Sequence, residues 1–150
     1  MVDFAERHGL GNILCLPYQP LATLADSLSA ADLHLVVMGE AFAGIVHPCK
    51  IYNVLAAGSP CLYIGPRLSH VTELAAHLPP DAVSCAEHGD VGSVVKFIRR
   101  SARLGARRSD ASVEMAEQFA SPALVPRMIA IVEDAAGAAD GDVRVPAVVA

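Results

Sequence analysis

Four short apolar runs punctuate the chain, at Asn12 to Leu16, Leu33 to Met38, Cys61 to Ile64 and Ala82 to Cys85. Runs of this length, continuously apolar or nearly so, suit parallel strands that helices cover on both faces. Between them the apolar positions change to helical spacing. Leu21, Leu24 and Leu28 stand at i, i+3 and i+7 ahead of Asp32. A second segment, about Pro48 to Ala57, opens on a proline, whose missing N–H costs nothing at a helix start, and stops at Gly58. Val71 to Leu78 is short and is closed by Pro79 and Pro80. After Asp90, a suitable N-cap, Val91, Val94, Val95, Ile98 and Ala102 form one stripe, with Lys96, Arg99, Arg100 and Arg103 mostly outside it. A last helical region, about Val113 to Asp134, carries Leu124, Val125, Met128, Ile131 and Val132 and breaks near Ser121 and Pro122.

Four alternations of strand and helix with short connections predict an α/β fold, a doubly wound parallel sheet of at least four strands. Residues 1–134 are expected to form one domain. Ala135 to Ala150, rich in Ala, Gly, Asp and Val without a periodic face, reads as a disordered tail. Only a short helical end, Phe4 to His8 followed by Gly9, precedes the first strand candidate. The strand-helix unit that usually supplies a glycine-rich phosphate loop is therefore expected to be missing. No G-x-G-x-x-G, Walker A or G-x-S-x-G string occurs, so dinucleotide-binding, P-loop and hydrolase readings lose their main support.

Composition narrows the class. With 150 residues, 53% of them hydrophobic and 18% charged, the chain has material for one core and is not disordered as a whole. No apolar run approaches the ~20 residues of a membrane span. The opening Val2-Asp3-Phe4-Ala5-Glu6-Arg7-His8 has no leader pattern, so the expected compartment is the cytoplasm. A net charge of −5, from 11 basic and 16 acidic residues, argues against nucleic acid as a partner. Six basic residues nevertheless fall between Lys96 and Arg108. They read as the solvated side of a helix or as a contact for an anionic membrane surface. Cys15, Cys49, Cys61 and Cys85 show no C-x-x-C pair or zinc-ligand spacing, and are expected to be mostly buried free thiols.

Ligands of open α/β sheets sit outside the carboxyl ends of the strands, which directs attention to two loops. In Leu16-Pro17-Tyr18-Gln19-Pro20 two prolines stiffen a turn, and Tyr18 and Gln19 offer a ring and an amide suited to a planar base. The alternative is a proline-rich turn with a half-buried tyrosine. The second loop, Gly39 to Lys50, ends at a helix start, where free N–H groups and Lys50 suit a phosphate. Asn53, three residues on, is placed to bond a sugar hydroxyl, or else simply faces solvent. His47 is a candidate acid-base group, or polar filler before a proline.

Three strings in order carry a family resemblance: Asn12-Ile-Leu-Cys-Leu-Pro-Tyr-Gln-Pro20, Leu28-Ser-Ala-Ala-Asp32-Leu-His-Leu-Val36 and Pro48-Cys-Lys-Ile-Tyr-Asn-Val-Leu-Ala-Ala-Gly-Ser-Pro60. Roughly from Phe4 to Phe119 the chain resembles the C-terminal, donor-binding domain of GT-B glycosyltransferases of the glycosyltransferase 4 type, as in bacterial polysaccharide and O-antigen synthesis. The resemblance implies a UDP- or GDP-sugar donor, no cofactor or bound metal, and nucleobase contacts at Tyr18 and its neighbour Gln19. It places Pro48, Cys49 and Lys50 at the donor diphosphate. The paired glutamates of the family, spaced E-x7-E, fall at Ile45 and Asn53. Neither is glutamate here. Asn53 keeps a neutral hydrogen bond for ribose, Ile45 cannot replace the first glutamate, and Glu40 could do so only if its loop folds back.

The early strand, its glycine loop and an Arg/Lys pair of the family would precede Met1, as would the acceptor-binding domain. Catalysis in the family needs both domains, so the chain alone is expected to bind a donor without efficient turnover, with a separate acceptor-domain chain as a partner. Two rivals stay open: a non-enzymatic flavodoxin-like interaction module, and a truncated gene product without activity.

Overall fold

Three parallel strands, each four residues long, organise the computed structural model, which describes residues 2–105 and 107–138. In chain order the elements begin with α1 (Val2–Arg7), a 3-10 turn at Leu21–Thr23, α2 (Leu24–Ser29), β1 (His34–Val37) and α3 (Lys50–Ala57). They continue with β2 (Cys61–Ile64), α4 (His70–Ala76), β3 (Val83–Ala86), α5 (Val91–Leu104), α6 (Asp110–Glu117) and α7 (Ser121–Ala138). The strands lie in sequence order, in register from His34, Cys61 and Val83 through Val37, Ile64 and Ala86. This is an α/β fold, a parallel sheet flanked by helices, compatible with a Rossmann-like arrangement.

Because successive side chains in a strand point to opposite faces, the sheet has two cores. Val36, Cys61, Tyr63 and Val83 meet Ile51, Val54 and Leu55 of α3, Val71 and Leu74 of α4 and Ala116 of α6 in the larger one. Leu62 and Ala86 face the other way and pack against Phe97 of α5, with Ile64 and Val94 beside them. Local chemistry sets the helix ends. Gly58 closes α3 in the left-handed region at φ 68°, Ser69 and Thr72 form a reciprocal capping box on α4, and the Asp90 carboxylate accepts from the Ser93 N–H at the start of α5.

Four expectations change. Residues 12–16 form no strand: Leu14 is 80% exposed and the segment runs as irregular chain. A parallel strand needs cover on both faces, and on the face of β1 opposite α3 Leu35 and Val37 are 46% and 57% exposed. The described sheet therefore has three strands rather than four. The stripe on α5 is barely used: Val94 is half-buried while Val91, Val95, Ile98 and Ala102 are exposed, and the buried residue is Phe97, outside the stripe. Arg100 reaches Asp81, just before β3, at 2.5 Å, so the opposite flank of α5, with Val91 and Ile98, turns away from β3. Of the four cysteines only Cys61 is buried, because residues 12–16 do not enter the sheet and Cys49 stands outside α3. Finally, α7 extends four residues past Asp134, to Ala138, and the remaining expected tail, 139–150, lies outside the described residues.

Candidate functional site

Parallel strands deliver their carboxyl ends to one side of the molecule, and three loops converge there. A ring nitrogen of His88, beyond β3, lies 2.8 Å from the carbonyl of Met38, beyond β1. The Arg67 guanidinium, beyond β2, donates to the Glu87 carboxylate, which raises the arginine further above its ordinary value. A cleft of roughly 420 Å³ opens between Gly65, Arg67, Thr72 and Glu87.

The loop from Gly39 to α3 is largely self-contained. Its N–H groups at Phe42, Ala43, Ile45 and Val46 donate to carbonyls within the loop, and those of Cys49, Ile51 and Tyr52 donate to His47, Pro48 and Cys49. The backbone cradle expected there is thus mostly closed. Glu40 opens a 3-10 turn, Glu40–Phe42, and Ile45 is exposed. The side chain of Lys50 is exposed in the first turn of α3, and the Cys49 thiol donates to the His47 carbonyl at 3.4 Å.

Aromatic and imidazole groups gather beside this helix start. Tyr52 Oη lies 2.7 Å from His47 Nε2 and 2.8 Å from His70 Nε2, so one phenol bridges two imidazoles whose centroids are 3.9 Å apart. Phe119 packs against Tyr52 with ring centroids 4.8 Å apart and planes tilted by 43°, and it lies edge-on to His70. Burial, together with the nearby Cys49, raises the phenol above its ordinary value. Burial, and then His47, push His70 below the usual imidazole range, against the opposing pull of Glu73. His70 and Tyr52 were not among the candidates from sequence, since they sit 18 residues apart on different helices. The signal that could have found them is a histidine just past an N-cap serine at a strand's carboxyl end.

Asn53 points elsewhere. Its position on α3 faces α2, where a groove of roughly 320 Å³ is lined by Leu21, Leu24, Leu28, Asn53, Ala57 and Arg108. Lys50 precedes it by one turn, about 4.5 Å along the axis. Tyr18 and Gln19 lead directly into Leu21 on the other wall. Tyr18 is fully exposed rather than half-buried, and the Gln19 amide donates to the Pro17 carbonyl at 2.9 Å. Lys50 and Asn53 thus share α3, with Pro48 and Cys49 just before it, and Tyr18 and Gln19 stand apart, ahead of the α2 wall. Among the described residues no cluster of His, Cys, Asp and Glu is arranged to hold a metal ion.

Over 97 residues, 65% of the chain, the sequence is 32% identical to a protein of Escherichia coli (strain K12) described as "Putative colanic acid biosynthesis glycosyl transferase WcaI". The match supports a relationship to glycosyltransferases. The aligned stretch spans 24% of that relative's length. No protein-family model matches the chain, and no solved structure gives a significant match. No described helix is long and apolar enough to cross a membrane.

Proposed function

We propose that the chain is the nucleotide-sugar-binding part of a GT-B glycosyltransferase. Such an enzyme moves a sugar from a UDP- or GDP-sugar to a lipid-linked or saccharide acceptor. The observation that carries the reading is the 32% identity to a glycosyl transferase over 97 residues. The groove between α2 and α3 is its physical counterpart. In this reading the exposed ammonium of Lys50, with Pro48 and Cys49 shaping the helix start, meets the diphosphate by charge rather than by a backbone cradle. Asn53 bonds the ribose over the groove, and Tyr18 and Gln19 lie against the base. The acceptor and the remaining diphosphate cations come from a separate domain or chain, because transfer requires both substrates held together. No cofactor enters this scheme.

Isothermal titration of UDP and of GDP into the folded protein tests it. Binding of either supports the reading; no heat with either at millimolar nucleotide overturns it for this chain. A second reading, a non-enzymatic interaction module, is favoured by one observation, the internally satisfied N–H groups of the loop from Gly39 to α3. It gains if both titrations are silent.

A further inference from the structure

The phenol of Tyr52 has one proton to give and two imidazole nitrogens within hydrogen-bond distance, so the two histidines cannot play the same role. One must accept from the hydroxyl and the other must donate to its oxygen. The choice is made at the far end of the chain of contacts, where His70 Nδ1 lies 3.7 Å from a carboxylate oxygen of Glu73. A bare nitrogen lone pair facing that charge is disfavoured, so the proton of neutral His70 resides on Nδ1. Its Nε2 then accepts from the Tyr52 hydroxyl, the Tyr52 oxygen accepts from His47 Nε2–H, and His47 Nδ1 is left without a proton.

We propose that His47, Tyr52, His70 and Glu73 form a one-way hydrogen-bond relay that holds the exposed Nδ1 of His47 as a bare acceptor for a hydroxyl group of a bound ligand. Burial beside His47 keeps His70 neutral near pH 7, as the relay needs, and the raised phenol keeps its proton. The charged or titratable groups that bear on these rings are Cys49, just before α3, and Glu73 from α4, and Phe119 closes the packing with an apolar face. The relay stands on this geometry alone. Its ligand, a hydroxyl of the donor's sugar beyond the diphosphate at Lys50, rests on the donor-site reading above.

Long-range proton–nitrogen NMR of histidine-labelled protein near pH 7.5 reads each tautomer directly. The expected result is Nε2–H for His47 and Nδ1–H for His70. In Tyr52→Phe, which keeps the ring against Phe119, His47 loses its fixed tautomer and shows a mixture; in Glu73→Ala, His70 does. Nδ1–H on His47 in the unsubstituted protein, or unchanged tautomers in Tyr52→Phe, overturns the relay. The ligand is tested by titrating UDP-glucose and GDP-mannose into the same sample. A shift of His47 Nδ1 on binding supports the contact, and nucleotide-sugar binding that leaves this nitrogen unmoved removes it. Failure of both to bind removes the donor-site reading and the contact with it, while the tautomers still decide the relay.

Discussion

The hydroxyl of Tyr63 lies 2.5 Å from the point where a side-chain carbon on Gly65 would begin, and the Met38 carbonyl oxygen lies 2.9 Å from it. The crossing of these groups at the carboxyl end of β2 leaves room for glycine only, and it leaves the buried phenol oxygen without a hydrogen-bond partner among the described residues. Gly65→Ala is therefore expected to cost about 1–3 kcal/mol through overpacking, read as a lower urea midpoint at unchanged slope. Tyr63→Phe removes a hydroxyl that is desolvated without return, so its midpoint should equal or exceed that of the unsubstituted protein. A large loss in Tyr63→Phe would mean that the hydroxyl has a partner.

Gly58 ends α3 with φ 68°, and a Cβ there would sit 3.2 Å from a methyl of Val113 on α6. Two penalties fall on one residue, the left-handed backbone and the contact with Val113. Gly58→Ala is expected to cost roughly 1–2 kcal/mol from the backbone alone. Pairing it with Val113→Ala should recover the contact part and leave the backbone part, so thermal unfolding of the two single variants and the double variant separates them.

Cys61 is buried at the start of β2, and burial, followed by the nearby Cys85, pushes its thiol up from 9.0 to about 12. The sign of the pH dependence follows. Below pH 9 the thiol is protonated in both folded and unfolded chains and contributes no slope. Between pH 9 and 12 the unfolded chain releases a proton that the folded chain retains, so stability falls by up to about 1.4 kcal/mol per pH unit from this group. Denaturant unfolding at pH 8 and pH 10 should show the loss, and Cys61→Ala should flatten it. Under native conditions at pH 8, a thiol reagent is expected to label Cys15, Cys49 and Cys85 and to reach Cys61 only in urea.

What could be read from the chain follows from the range of the forces involved. The strand at Cys61–Ile64, the αL stop at Gly58 and the Asp90 cap depend on neighbours in sequence, and the structure has them where the pattern indicated. Residues 12–16 have the same apolar signature as Cys61–Ile64, yet whether an apolar run pairs depends on cover from distant elements, and β1 has an open face beside it. The burial of α5 shows the same limit, since a helical stripe indicates which positions share a face without indicating how much of that face has a partner. At the candidate site, Lys50 and Asn53 lie on one helix as their spacing required. The bridge from His47 through Tyr52 to His70 joins a loop and two helices, and only tertiary structure brings them together.

Lys50 offers the sharpest test of the donor reading, because the closed backbone of the preceding loop leaves its ammonium as the main positive group at the start of α3. If charge rather than a backbone cradle meets the diphosphate, Lys50→Gln should weaken UDP binding about five- to thirtyfold, on the order of 1–2 kcal/mol, whereas Lys50→Arg should retain most of it. The salt dependence of binding should fall in Lys50→Gln, since one charge contact is gone. Uridine lacks the diphosphate, so its affinity, measured by the same calorimetry, should not respond to either substitution. Asn53→Ala should weaken UDP and uridine alike if Asn53, which faces the groove against α2, meets the ribose as the donor reading has it. Equal loss of UDP and uridine in Lys50→Gln would place the lysine away from the phosphates and would leave the groove between α2 and α3 without a diphosphate-binding cation on α3.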